Sequence, residues 1–198
     1  LVATVVEHVA RVARERGYDL AYYREGEVEA DLVVVHPEGV MPLVVIELKN
    51  ALQSDPAHVE ARIMLGALYL RGADGAAAAK EFGRARDLGA PRADWLPGYT
   101  QALVMQRDFR RILDEVVVDS SLAPELQAEL LAQRGNANLA LESPEQARAD
   151  YQAALDIDAT NPMARLGMAQ ILLSSGDDQG ALAQLNQVVA DSPSNAEV

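Results

Sequence analysis

The chain has 198 residues, a formal net charge of −13, 49% hydrophobic and 5% aromatic residues, and no cysteine. Abundant alanine with few aromatics favours close-packed helices over a β-sandwich. The acidic balance argues against a broad basic patch for phosphate backbones, so no nucleic acid is expected as a partner. The missing cysteines rule out disulfides and thiolate metal sites, and no apolar run approaches the roughly 20 residues that span a bilayer.

Residues 1–41 read as an N-terminal segment of mixed α and β character. LVATVVEHVARVARERG places Val2, Val5, Val6, Val9, Ala10, Val12 and Ala13 at helical spacing. It stops at Gly17, a C-cap position, with Arg14 and Arg16 close by. DLAYYRE then reads as a strand, EGEVEA as a turn, and DLVVVHP as a second strand ended by Pro37 and Gly39. The expectation is one helix followed by a β-hairpin. The first residue is Leu1 and residues 1–16 lack a basic start with a long apolar middle, which suggests a natural start upstream and shows no signal peptide.

The run AYYREGEVEADLVVVHPEGVMPLVVIELK resembles the restriction-nuclease-like C-terminal domain of certain AAA-type ATPases. The resemblance covers about the first quarter of the chain. It implies Asp31 and Glu47 as carboxylate ligands for Mg²⁺ and Lys49 as the residue that orients the attacking water, with Glu7 as a further acidic ligand. The helix and strand that should follow E-x-K in that fold are replaced here by other sequence.

LVVIELKNALQSDP, residues 43–56, admits two readings. On a strand Glu47 and Lys49 share a face, because side chains alternate with period two. On a helix the same residues are roughly 200° apart and cannot serve one metal, while Val44, Leu48 and Ala51 form an apolar stripe. Asn50-Ala51-Leu52-Gln53 are poor strand formers and fair helix formers, which favours a helix from about Pro42 to Ser54.

From Val59 onward a repeat organises the chain. Gly66, Ala78, Phe82 and Ala85 recur as Gly135, Ala147, Tyr151 and Ala154, and again as Ala169, Ala181, Leu185 and Val188. A weaker copy carries Leu103, Phe109, Ile112 and Val116, with Thr100 where a small residue is usual and Pro97 in its first helix, which is expected to begin near that proline. The period is about 34 residues, and the pattern resembles the tetratricopeptide repeat. The predicted fold class is mainly α, a solenoid of antiparallel helix pairs over residues 42–198. Its parts are a half unit at 42–58 and units at 59–92, 93–127, 128–161 and 162–195. Small residues such as Gly66 and Gly135 let the two helices of a unit approach, and Phe82 and Tyr151 fill the space towards the next. Turns are expected at Arg71–Gly75, at Ser143-Pro144 and at Ser175–Asp178, with Ser143 as an N-cap, Pro144 at the first helical position and Gln146 at the third.

The resemblance implies partner binding on a concave face lined by the first helix of each unit. In this sequence that face takes Glu60, Ile63 and Arg71, then Gln101 and Met105, then Asn136 and Leu139, and finally Met163, Leu166 and Gln170. Such a groove suits an extended peptide or a partner helix. It offers few cations, so a lysine-rich clamp for C-terminal carboxylates is not evident. His8, His36 and His58 read as surface histidines, Trp95 as packing, Tyr22-Tyr23 as a strand face, and Ala76–Ala79 as a helix-packing surface. IELKNALQSDPAHVEARIMLGALYLRGADGAAAAKEFGRARDLG is similar to the repeat lipoproteins of bacterial exosortase (PEP-CTERM) and exopolysaccharide systems. That similarity implies a non-enzymatic scaffold at the cell envelope, without a cofactor. The other reading is a metal-dependent nuclease fragment fused to repeats, with Mg²⁺ at Asp31, Glu47 and Lys49.

Overall fold

The computed structural model describes residues 19–21, 33–35, 49, 52–53 and 55–191. The chain divides into two compact units, Leu1–Ala90 and Pro91–Val198. In the first, strands β1 (Asp19–Ala21) and β2 (Val33–Val35) pair antiparallel, with Leu20 opposite Val34. Lys49, Leu52 and Gln53 have helical backbone. Helices α1 (Val59–Arg71) and α2 (Gly75–Asp87) follow and pack on each other. The predicted helix over 1–16, Tyr22-Tyr23, His8 and His36 lie outside the described residues.

The second unit holds six helices among its described residues. They are α3 (Arg92–Met105), α4 (Phe109–Glu115), α5 (Pro124–Ala140), α6 (Pro144–Ile157), α7 (Pro162–Ser174) and α8 (Asp178–Ala190). They pack as the pairs α3 on α4, α5 on α6 and α7 on α8. The series is closed by α4 on α5 and α6 on α7, and the first helices also touch directly, α3 on α5 and α5 on α7.

One turn geometry joins the two helices of every pair. Its central residue is left-handed: Ala73 at φ 57°, Arg107 at 56°, Glu142 at 59° and Gly176 at 81°. The next residue closes the first helix through its backbone N–H, which reaches five residues back: Asp74 to Tyr69, Asp108 to Leu103, Ser143 to Asn138 and Asp177 to Leu172. The same residue opens the second helix. The carboxylates of Asp74, Asp108 and Asp177 accept from the amides of Ala77, Arg111 and Gly180. Ser143 departs from its expected role. It occupies the N-cap position ahead of Pro144 but makes no side-chain cap bond, because its hydroxyl donates to the Leu141 carbonyl (3.4 Å) in the preceding turn.

Size matching places the core. Phe82 lies over Gly66 in the first unit, where an added Cβ would meet the ring edge at 3.0 Å. In the second unit Tyr151, fully buried, lies between Gly135 of its own pair and Gly167 of the next. Ala78, Ala147 and Ala181 are buried beside these contacts. Ala132, Ala147, Tyr151, Ala154, Ala164, Met168 and Ile171 form one cluster across α5, α6 and α7. Each large side chain buried there contributes about 1.5–3 kcal/mol.

The pair α3–α4 departs most from the expectation. Helix α3 starts at Arg92, and Pro97 lies inside it. Proline in a helix interior costs about 3 kcal/mol. Burial of Trp95, Leu96 and Tyr99, all 6% exposed or less, outweighs that cost on the same helix. Thr100 is fully buried, its hydroxyl donating to the Leu96 carbonyl at 2.8 Å. Helix α4 has only 7 residues. It ends before the β-branched run Val116-Val117-Val118. The Arg134 guanidinium donates to the carbonyls of Leu113 (3.2 Å) and Val116 (2.9 Å), satisfying acceptors that a longer helix would have paired internally.

Candidate partner-binding face

The candidate residues fall on first helices. In the first unit, Glu60 and Arg71 are exposed and Ile63 is half-buried on α1. In the second unit, Gln101, Met105, Asn136, Leu166 and Gln170 are exposed. Leu139 and Met163 are half-buried and pack against the Tyr151 cluster, so they serve the core as well as the face.

The turns put three of these residues in register. Gln101, Asn136 and Gln170 each precede the left-handed turn residue by six positions. Each is flanked on both sides by buried neighbours: Thr100 and Ala102, Gly135 and Ala137, Ala169 and Ile171. Three positions before the turn residue stand Val104, 40% exposed, half-buried Leu139, and Leu173, 52% exposed. Val104 and Leu173 were absent from the candidates read in sequence, although counting back from the turn would have found them. An amide row and an apolar row therefore run across α3, α5 and α7, of which α5 touches both of the others.

One amide has its orientation set from below. The Tyr151 hydroxyl donates to Asn136 Oδ1 at 2.6 Å. Burial, then the nearby Asp150 carboxylate, pushes the phenol's pKa up, so it stays protonated as that donor. With Oδ1 engaged, Asn136 presents Nδ2 as a donor. Asn138, by contrast, is buried and donates to Asp150 at 2.7 Å.

The charges on this face are one-sided. The three helices carry no lysine and one arginine each. Arg92 pairs with Asp119 at 2.6 Å, Arg134 lies 3.7 Å from Asp150 and binds two carbonyls, and Arg165 lies 3.7 Å from Asp191. Asp94, Glu125 and Glu129 are exposed.

Other candidates have plainer places. Lys49 is helical, with Nζ 5.6 Å from the centre of the Tyr69 ring. Asp31 and Glu47 lie outside the described residues. His58 is the N-cap of α1, its Nδ1 accepting from the Ala61 amide at 3.3 Å. Trp95 is buried edge-on to Tyr99, with ring centres 5.7 Å apart. Of the alanine run, Ala78 and Ala79 are buried. No helix among the described residues is long and apolar enough to cross a membrane.

Residues 138–198 match the tetratricopeptide repeat family. No curated protein matches the sequence. Among solved structures, MamA from Desulfovibrio magneticus RS-1 aligns over 100% of both chains at 14% identity and a TM-score of 0.69. PilF of Pseudomonas aeruginosa aligns over 74% of this chain and 66% of its own at 21% identity and a TM-score of 0.61. YrrB, described as a TPR protein with an unusual peptide-binding site, covers 76% of this chain and 77% of its own at 17% identity and a TM-score of 0.59. The repeated turn, the glycine–aromatic contacts and these likenesses agree that the described helices have the tetratricopeptide-type fold of antiparallel helix pairs.

Proposed function

We propose that the chain is a non-enzymatic scaffold that binds a peptide or partner protein on the face of its first helices. The observation that carries this reading is the pair of exposed rows on α3, α5 and α7. Amides that can donate and accept lie beside partly exposed apolar side chains, Val104 at 40% and Leu173 at 52%, with Leu166 at 49% on α7 as well. Rows of this kind suit a segment that lays main-chain groups on one and side chains on the other. The likeness to YrrB supports peptide as the ligand class. The similarity of residues 46–89 to envelope repeat lipoproteins supports a bacterial exopolysaccharide or protein-sorting context. The reading invokes no cofactor.

The test is selection from a displayed random-peptide pool on the whole chain and, in parallel, on a Leu166→Glu/Leu173→Glu variant. Both positions are solvent-facing, so the variant should keep its circular dichroism spectrum. Peptides enriched on the parent and lost on the variant support the reading. Equal enrichment on both, or none on either, contradicts it. The envelope context is tested by fractionating cells that make the full-length parent; recovery in the cytosolic fraction would exclude it.

A further inference from the structure

The spacing and polarity of the amide row constrain what lies on it. Helices that pack directly are about 8–10 Å apart, and α3, α5 and α7 pack in that order. An extended chain advances about 3.1–3.4 Å per residue, so successive amides meet every third residue of a ligand. In a flat strand, residues three apart point to opposite faces. In a polyproline II helix three residues complete one turn, so the same face returns each time, and its carbonyls have no internal partner. Asn136, with Oδ1 held by Tyr151, offers a donor, which requires an acceptor on the ligand.

Charge narrows the class further. Seven positions before Gln101 and Asn136 stand the exposed carboxylates Asp94 and Glu129, on the same side of their helices two turns away. The arginines of the three helices are engaged with Asp119, Asp150 and Asp191. The face is therefore acidic along one border and apolar, through Val104 and Leu173, along the other.

We propose that Gln101, Asn136 and Gln170 read main-chain carbonyls of a basic segment in polyproline II conformation, one carbonyl per turn. The segment's cations lie towards Asp94 and Glu129. This rests on the scaffold reading and adds the conformation and charge of the partner.

The probes are fluorescein-labelled peptides of four Pro-Pro-Arg repeats, four Gly-Gly-Arg repeats and four Pro-Pro-Glu repeats, followed by anisotropy on the whole chain. The proline–arginine peptide should bind about tenfold or more tighter than either of the others. A Gln101→Ala/Gln170→Ala variant with an unchanged circular dichroism spectrum should lose about tenfold, as expected for two hydrogen bonds. Equal binding of the glycine and proline peptides would mean charge alone is read and would overturn the proposal, as would an unaffected variant. If the random pool yields Leu166- and Leu173-dependent ligands while the proline–arginine peptide fails to bind, this proposal falls and the scaffold reading stands. If neither binds, both fall.

Discussion

Glycine-to-alanine changes at four helical positions should move stability in opposite directions, because only the surroundings of the new methyl differ. Alanine is worth about 1 kcal/mol over glycine in a helix interior. At Gly83 in α2 an added Cβ meets nothing within 4 Å, so Gly83→Ala should stabilise by close to that amount. At Gly66 the Cβ would stand 3.0 Å from the edge of the Phe82 ring, which has to shift slightly. Gain and strain then nearly cancel, within about 1 kcal/mol. At Gly135 and Gly167 the Cβ would stand 2.6 Å from Tyr151 Cδ1 and Cε1 respectively, with other ring atoms nearer still. Tyr151 has no exposed surface and is tied to Asn136, so the ring has little room to retreat. Overpacking of this kind costs about 1–3 kcal/mol beyond the propensity gain. Urea unfolding followed by far-ultraviolet circular dichroism reads all four. Tyr151→Leu places at this position the residue that stands at the matching place in α8, Leu185, and should relieve part of the Gly167→Ala penalty in the double variant. A higher urea midpoint for Gly167→Ala, matching that of Gly83→Ala, would refute the size-matching argument, and strict additivity in the double variant would do the same.

The left-handed turns give a second set. Ala73→Gly and Glu142→Gly should each stabilise by about 1 kcal/mol, since a non-glycine residue in that conformation costs about 1–2 kcal/mol, and Gly176→Ala should do the reverse; unfolding midpoints check the signs. The ion pair of Arg62 and Glu81, 2.8 Å apart with side chains 10% and 8% exposed, should lose about 3–5 kcal/mol when Glu81→Leu leaves the arginine buried. Arg62→Met/Glu81→Leu together should come much closer to the parent in the same assay. Asp119 accepts from the Ser121 hydroxyl and amide and pairs with Arg92, which hold its pKa at about 2, below the usual 3.8. A depressed carboxylate pKa stabilises the fold above the unfolded value and stops doing so as pH falls through the folded one. The stability difference between the parent and Asp119→Asn should therefore be constant near neutral pH and fade between about pH 4 and pH 2 in acid-titrated urea melts; a difference that persists at the acid end would contradict the assignment.

Much of the architecture could be read before any coordinates. The recurrence of Gly66 with Phe82 and of Gly135 with Tyr151 at one spacing marks positions where a small residue must face a large one, and that requirement depends on residue volume alone. The pairing of helices and the amides and leucines on their first members follow from the same count. Sequence could not show which of several competing local terms prevails, because the winning term comes from neighbours on other helices. Pro97 lies inside α3 because the burial of Trp95, Leu96 and Tyr99 exceeds its cost. Arg107 and Glu142 adopt a left-handed backbone because the next residue's N–H must reach five residues back to end one helix where the next begins. Gly167 belongs with Tyr151, and Asn136 turns its amide outward, only once α5, α6 and α7 are packed together. Periodicity in the chain identifies which faces need cover; the sum of contacts across helices decides what each residue gives up to cover them.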